Sequence, residues 1–208
     1  MVSGKLQRVN KIFLGIVSVC ILWSCKSGTS PTSKSESSFS GLESGDIIYR
    51  QGNGLLSEYF RKTSSKEQTY SHAGIILIEE DSSVFVIHSE ASEFTGQGGV
   101  KKESLNTFLN NVSDWALYRL DTSEWVRNEV VGNAMEYYEQ SIPFDFEFNH
   151  LSKDKIYCTE LIAVSVNRAM SRDVILPLGT FKEKKYYAID DTYLINEMKL
   201  IKKYSEKF

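Results

Sequence analysis

Apolar and polar positions alternate in short runs through most of residues 41–208, and these runs predict a mixed set of strands and helices. DIIYR (46–50), which follows the turn-forming Gly45, predicts a short strand, and LLSEYFRK (55–62) a short helix. HAGIILIE (72–79) and VFVIHSE (84–90) are rich in β-branched residues and separated by the polar EDSS, which predicts a hairpin. TGQGG (95–99) predicts a surface loop, SLNTFL (104–109) a brief helix and WALYRL (115–120) another strand. SEWVRNEVVGNAMEYYEQS (123–141) has helical spacing with Ser123 as N-cap. TELIAVSVNRAM (159–170) is an amphipathic helix opened by Cys158, while TYLINEMKLIKKY (192–204) suits either strand or helix. Strands joined mostly by hairpins, with helices between, make an α+β fold.

The N-terminus follows a different pattern. Lys5, Arg8 and Lys11 precede an apolar or small run, Ile12 to Trp23, too short for a comfortable membrane span and of the length of a signal-peptide core. It ends in LWSC, which resembles the lipobox of bacterial lipoproteins, although Trp23 is bulky for its position. The expected layout is a signal peptide over 1–24, a lipidated Cys25 with a Ser/Thr-rich tether over 25–40, and one domain over 41–208. Lipidation would hold the protein stably on a membrane. Lys26 is not the aspartate associated with inner-membrane retention, so the outer membrane facing the periplasm is the expected location. The formal net charge is −3, and loss of the three bases within residues 1–24 makes it −6, which argues against nucleic acid as a partner.

In the mature chain Cys158 is then the one cysteine left besides Cys25. A leftover cysteine in an exported protein is a buried inert thiol, an intermolecular bridge or a reactive nucleophile. At a helix start, unpaired N–H groups and the helix dipole stabilise a thiolate, so a lowered thiol pKa is expected. Two of the three histidines, His72 and His88, lie on the predicted hairpin. Pairing Ile78 with Val84 sets Ile76 opposite Val86, Gly74 opposite His88 and His72 opposite Glu90, so that His72, His88 and Glu90 share a face. A one-residue slip brings Ser89 opposite His72 instead. A cysteine at a helix start with an oriented histidine elsewhere is the constellation of a cysteine hydrolase. The histidine and cysteine spacing matches no structural zinc site, and neither metal nor cofactor is expected.

Five segments, in order, resemble the YiiX-like permuted papain-fold cysteine amidases or peptidases, relatives of the NlpC-type enzymes: LESGDIIYR (42–50), YSHAGIILI (70–78), VFVIHSEA (84–91), IPFDFEF (142–148) and YCTEL (157–161). The resemblance implies a circularly permuted papain-like fold, with an antiparallel sheet packed against helices and the histidine strands preceding the cysteine helix. It also implies Cys158 as nucleophile and His72 as base. The third, orienting position falls on His88, with Glu90 as the competing assignment. Tyr70, Asp145 and Tyr157 are candidates for the substrate cleft, although Asp145 also suits local backbone capping and both tyrosines suit packing. The implied activity is amide hydrolysis through a thioester acyl-enzyme, with cell-wall peptides as the candidate substrate. The alternatives are acyl hydrolysis or transfer on lipids, as in the related lecithin retinol acyltransferase group, and a lipoprotein that binds ligand without chemistry.

Overall fold

Six antiparallel strands frame this computed structural model, which describes residues 39–52, 55–64, 66–92 and 94–206. In chain order the elements are β1 (Ile47–Arg50), α1 (Leu55–Thr63), β2 (His72–Ile78), β3 (Val84–Ala91), β4 (Gly98–Ser104), α2 (Leu105–Phe108), β5 (Asp114–Leu120), α3 (Glu124–Glu139), α4 (Cys158–Met170), β6 (Gly179–Phe181), β7 (Lys184–Tyr186) and β8 (Met198–Ser205). The sheet runs β4-β3-β2-β1-β5-β8, and β6 pairs with β7 alone. The signal peptide, Cys25 and nearly all of the tether expected from the sequence lie outside the described residues. Among the described residues no helix is long and apolar enough to cross a membrane.

The period-two pattern of the central strands sorts their side chains onto two faces. Ile47 and Tyr49 of β1, Ala73 and Ile75 of β2 and Ile87 of β3 join one buried cluster with Val130 and Ala134 of α3 and Leu161, Ile162 and Val166 of α4. Complete burial of each large aliphatic chain in this layer contributes about 1.5–3 kcal/mol. The alternate positions of β2 and β3, which include His72, Gly74 and His88, therefore point away from that cluster. There Phe108 of α2 closes over both imidazole rings, with centroids 5.7 Å from His72 and 5.0 Å from His88.

Towards its turn the hairpin has the register its sequence predicts, with Ile78 opposite Val84 and Ile76 opposite Val86, but the expected Gly74–His88 and His72–Glu90 pairs are not part of the ladder. Its turn is held by the Ser83 N–H on Asp81 Oδ1 at 2.9 Å, with Ser82 in the left-handed region. The β2–β3 ladder stops at Ile75↔Ile87, while β2 continues to pair with β1 as far as His72↔Arg50. Ser123 caps α3, accepting from the Val126 N–H.

Three elements differ from the sequence expectation. β4 replaces the end of the predicted loop, because GGVKKES hides its charges in cross-strand pairs: Lys102 with Glu79, Lys101 with Glu90, and Glu103 with His88. The β6–β7 hairpin turns through Lys182 and Glu183, both at positive φ without a glycine, so no turn motif marks it. The ambiguous C-terminal run resolves into a 3-10 turn at Asp190–Thr192 followed by β8 as an edge strand.

Gly74 is where packing and site meet. A Cβ there would lie 2.3 Å from Val86 Cγ1 and 3.1 Å from His88 Cβ. Gly74→Ala is expected to destabilise by about 1–3 kcal/mol through overpacking. Gly132→Ala, in an open helical position with no atom within 4 Å of the new Cβ, is expected to stabilise by about 0.5–1 kcal/mol. Urea unfolding of the two variants beside the parent checks both signs.

Candidate active site

Cys158 is the first residue of α4, and the segment before it is pinned to the sheet. The buried Ser89 hydroxyl donates to the Ile156 carbonyl at 2.7 Å, tying the approach of α4 to β3. The Ile156 N–H donates to the Pro143 carbonyl at 2.9 Å. Tyr157 is the N-cap, but its side chain makes no capping bond to the helix. The Tyr157 N–H is instead turned towards the Glu160 carboxyl, the reciprocal half of a capping box. The backbone N–H groups of Ala73, Thr159 and Cys158 itself favour the thiolate form of the sulfur. Ala73 follows His72 in the stretch where the β2–β3 ladder has ended, so α4 delivers the thiol beside the histidine strand.

His72 belongs to a buried chain of hydrogen bonds. Its Nε2 lies 2.8 Å from His88 Nδ1, and His88 Nε2 lies 3.0 Å from Glu103 Oε1. A carboxylate only accepts, so His88 carries its proton on Nε2 and leaves Nδ1 as an acceptor. His72 must then carry its proton on Nε2, and its free lone pair is on Nδ1. Each step of this tautomer assignment follows from the one acidic partner at the end of the chain. Glu90 Oε1 is 3.9 Å from His72 Nε2, too far for a hydrogen bond. It is held instead by Arg50 and Lys101, each at 2.6 Å, so the partner of His72 is His88. Arg50 also donates to the Phe108 carbonyl at 2.5 Å, fixing the lid over both rings.

Residues 41–187 match the family described as permuted papain-like amidase enzyme, YaeF/YiiX, C92 family. The chain belongs to this family. It is an amidase of the cysteine-peptidase type, and the expected permuted papain-like fold is the one this family has. A search of curated proteins finds no match.

In this C92-family domain Cys158, His72, Glu90 and Tyr157 all line one cavity. Two expected cleft residues do not. Tyr70 is buried in the core, its ring against Tyr49 and Tyr193, because its place just before β2 points it inward. Asp145 is also buried, and its two oxygens accept from the Glu147 and Asn149 N–H groups at 2.9 Å. It shapes the FDFEF loop from within rather than facing the cavity. Glu103 was not foreseen from the sequence. The available signal was the spacing of Lys101 and Glu103, which places both on the β4 face that meets His88 and Val86. Among the described residues, His72, His88 and Glu90 have ligand-type atoms within 4.8 Å of one another. A cation there would break the imidazole pair and face the charges of Arg50 and Lys101, so these residues do not make a favourable metal site.

The electrostatics correct one expectation. Burial pushes the Cys158 thiol up to about 11, against the lowering effect of the Ala73 and Thr159 N–H groups, with the Glu90 charge raising it further. The apolar setting of the helix start thus outweighs its dipole. Burial likewise drives His72 well below the usual imidazole value, helped by His88, Arg50 and Lys101. His88 is lowered by burial, partly offset by its bond to Glu103. Glu103 is held down at about 2, first by the His88 hydrogen bond. Glu160 is pushed up to about 8 by burial, so at pH 7 it is mostly protonated and places no anion two residues from the sulfur. The resting pair at pH 7 is therefore an uncharged thiol and an uncharged imidazole. The iodoacetamide alkylation rate of Cys158 should climb continuously through pH 9 with no plateau between pH 5 and 7. Such an acid-side plateau would show a preformed thiolate–imidazolium pair and contradict this balance.

Proposed function

We propose that Cys158 is the nucleophile, His72 the base and His88 the residue that orients His72 in an amide hydrolase working through a thioester. The observation that carries this is the placement of Cys158 and His72 on one cavity, with His72 Nε2 occupied by His88. The nitrogen left to exchange protons is Nδ1.

As the sulfur attacks the amide carbonyl, its proton passes to His72 Nδ1 and a C–S bond forms. The backbone N–H groups at the start of α4 stabilise the oxyanion. The C–N bond then breaks, and the proton on Nδ1 moves to the departing amine nitrogen, leaving the acyl group on sulfur. Water attacks the thioester with His72 again taking a proton. The C–S bond breaks, the sulfur recovers its proton and the acid is released. Because the resting pair is uncharged, proton transfer accompanies attack rather than preceding it. Glu103 and His88 support the positive charge that appears on His72 between the steps. In the same reading residues 1–24 are a signal peptide and Cys25 carries lipid, which places the domain on the envelope, at the outer membrane facing the periplasm.

Incubation of the protein with an activated amide, followed by acid quench and intact mass measurement, should show an acyl adduct on Cys158. Cys158→Ala should remove the adduct and lower kcat/KM at least about a thousandfold. The base must be unprotonated, and its pKa is lowered, so the acid limb of kcat/KM should lie below pH 6.5. Turnover without an adduct, or activity retained in Cys158→Ala, would overturn the assignment.

A further inference from the structure

The helix that carries Cys158 also carries a buried acid on its first turn. Glu160 is 2% exposed, and its Oε2 has no hydrogen-bond partner among the described residues. An orphaned oxygen at that depth is tolerable on a neutral carboxyl and far more costly on a charged one. The surroundings act in the same direction. Asp145, buried in the loop before α4, is the charged group that acts on Glu160, and it has the same sign. The other polar groups around it are tyrosines: Tyr137 from α3, Tyr157 from the N-cap and Tyr187 from the segment after β7. Arg168 acts on Tyr137 but is itself bound to Glu136, and Asp173 adds another acid acting on Tyr187. One favourable contact, the Tyr157 N–H, does not offset this burial.

That same contact joins Glu160 to the peptide that leads into the nucleophile. Tyr157 caps α4 without a side-chain bond to the helix, which leaves the N–H groups of the first turn to the sulfur and an oxyanion. The turn is held from outside instead. Thr159 donates to the Tyr187 carbonyl at 2.6 Å, and the Tyr157 oxygen accepts from the Tyr187 N–H at 2.9 Å. The first bond of the helix runs from the Leu161 N–H to the Tyr157 carbonyl at 2.9 Å. Water that hydrates a charge on Glu160 must part this turn.

We infer that Glu160, kept as a neutral acid, is a positioning residue for Cys158, and that its ionisation releases the first turn of α4. The effect on turnover rests on the proposed role of Cys158, whereas the effect on the helix rests on the burial of Glu160 alone. A charged Glu160 also competes with the oxyanion for the positive end of α4. Burial holds the carboxyl up at about 8, against an ordinary value of 4.5. The unfolded chain therefore gives up this proton first. Stability from the neutral acid is full below pH 4.5 and is lost as pH rises through 8.

The test compares the purified full chain with Glu160→Gln, which keeps the shape and cannot ionise. After correction for intrinsic exchange, protection of the Leu161 N–H should fall at least about fivefold from pH 7 to pH 9 in the parent, while Val166 further along α4 holds. In Glu160→Gln both amides should hold. The urea midpoint of Glu160→Gln relative to the parent should rise from pH 5 to pH 8.5, whatever constant offset the amide brings. With the activated amide, kcat/KM should fall at least about fivefold from pH 7 to pH 9.5 in the parent and not in Glu160→Gln. If the variant does not fold, the parent's Leu161 profile decides by itself. Loss of Leu161 protection without turnover at any pH supports the inference and counts against the thioester reading alone. Leu161 protection that ignores pH would overturn the inference, as would the same alkaline fall of kcat/KM in both proteins.

Discussion

A neutral imidazole held by a carboxylate-anchored second imidazole, on the cavity that the thiol also lines, is the constraint around which this domain is built. His88 is wholly buried, and a buried ring with two polar nitrogens is tolerated only when both are satisfied. Glu103 and His72 satisfy them, and in doing so they fix every proton in the chain. The same bonds that make His88 stable inside the protein thus determine which nitrogen of His72 is basic. Stability and chemistry here depend on the same few atoms.

The rest of the structure serves that arrangement at identifiable places. Gly74 gives room for Val86 and the Cβ of His88, and the β2–β3 ladder ends before Ala73, whose N–H favours the thiolate of Cys158. Lys101 lies between Glu90 and Glu103, and Arg50 takes Glu90 from the other side, so two carboxylates coexist beside the histidines without a net anionic field. Burial raises the thiol and lowers the imidazole, so the pair rests uncharged, which in the proposed mechanism leaves proton transfer to the moment of attack.

Much of this was legible in the sequence, for physical reasons that differ from residue to residue. The hairpin and its register follow from period-two alternation around a polar turn, and that register brought His72, His88 and Glu90 to one face. Cys158 stood out as an isolated cysteine opening an amphipathic helix. Glu103 was hidden because KKE reads as a solvated charge run until β3 lies beside it and supplies partners. For Tyr70 and Asp145 the sequence leaves both a cleft position and a local packing or capping role open, because motif proximity says nothing of the direction of a side chain. The raised thiol pKa was also out of reach, since a helix start is visible in sequence while the burial around it depends on Phe148, Tyr157 and Tyr186, which come from three separate segments.

The most direct test of the central claim is the tautomeric state of the two hairpin histidines, measured by long-range nitrogen–proton correlation NMR on imidazole-labelled protein at pH 7. Both rings should be neutral, with the proton on Nε2 and a pyridine-type Nδ1, and in Glu103→Gln the His88 pattern should lose its uniqueness. An imidazolium at His72, or a proton on His72 Nδ1 in the resting protein, would contradict the account.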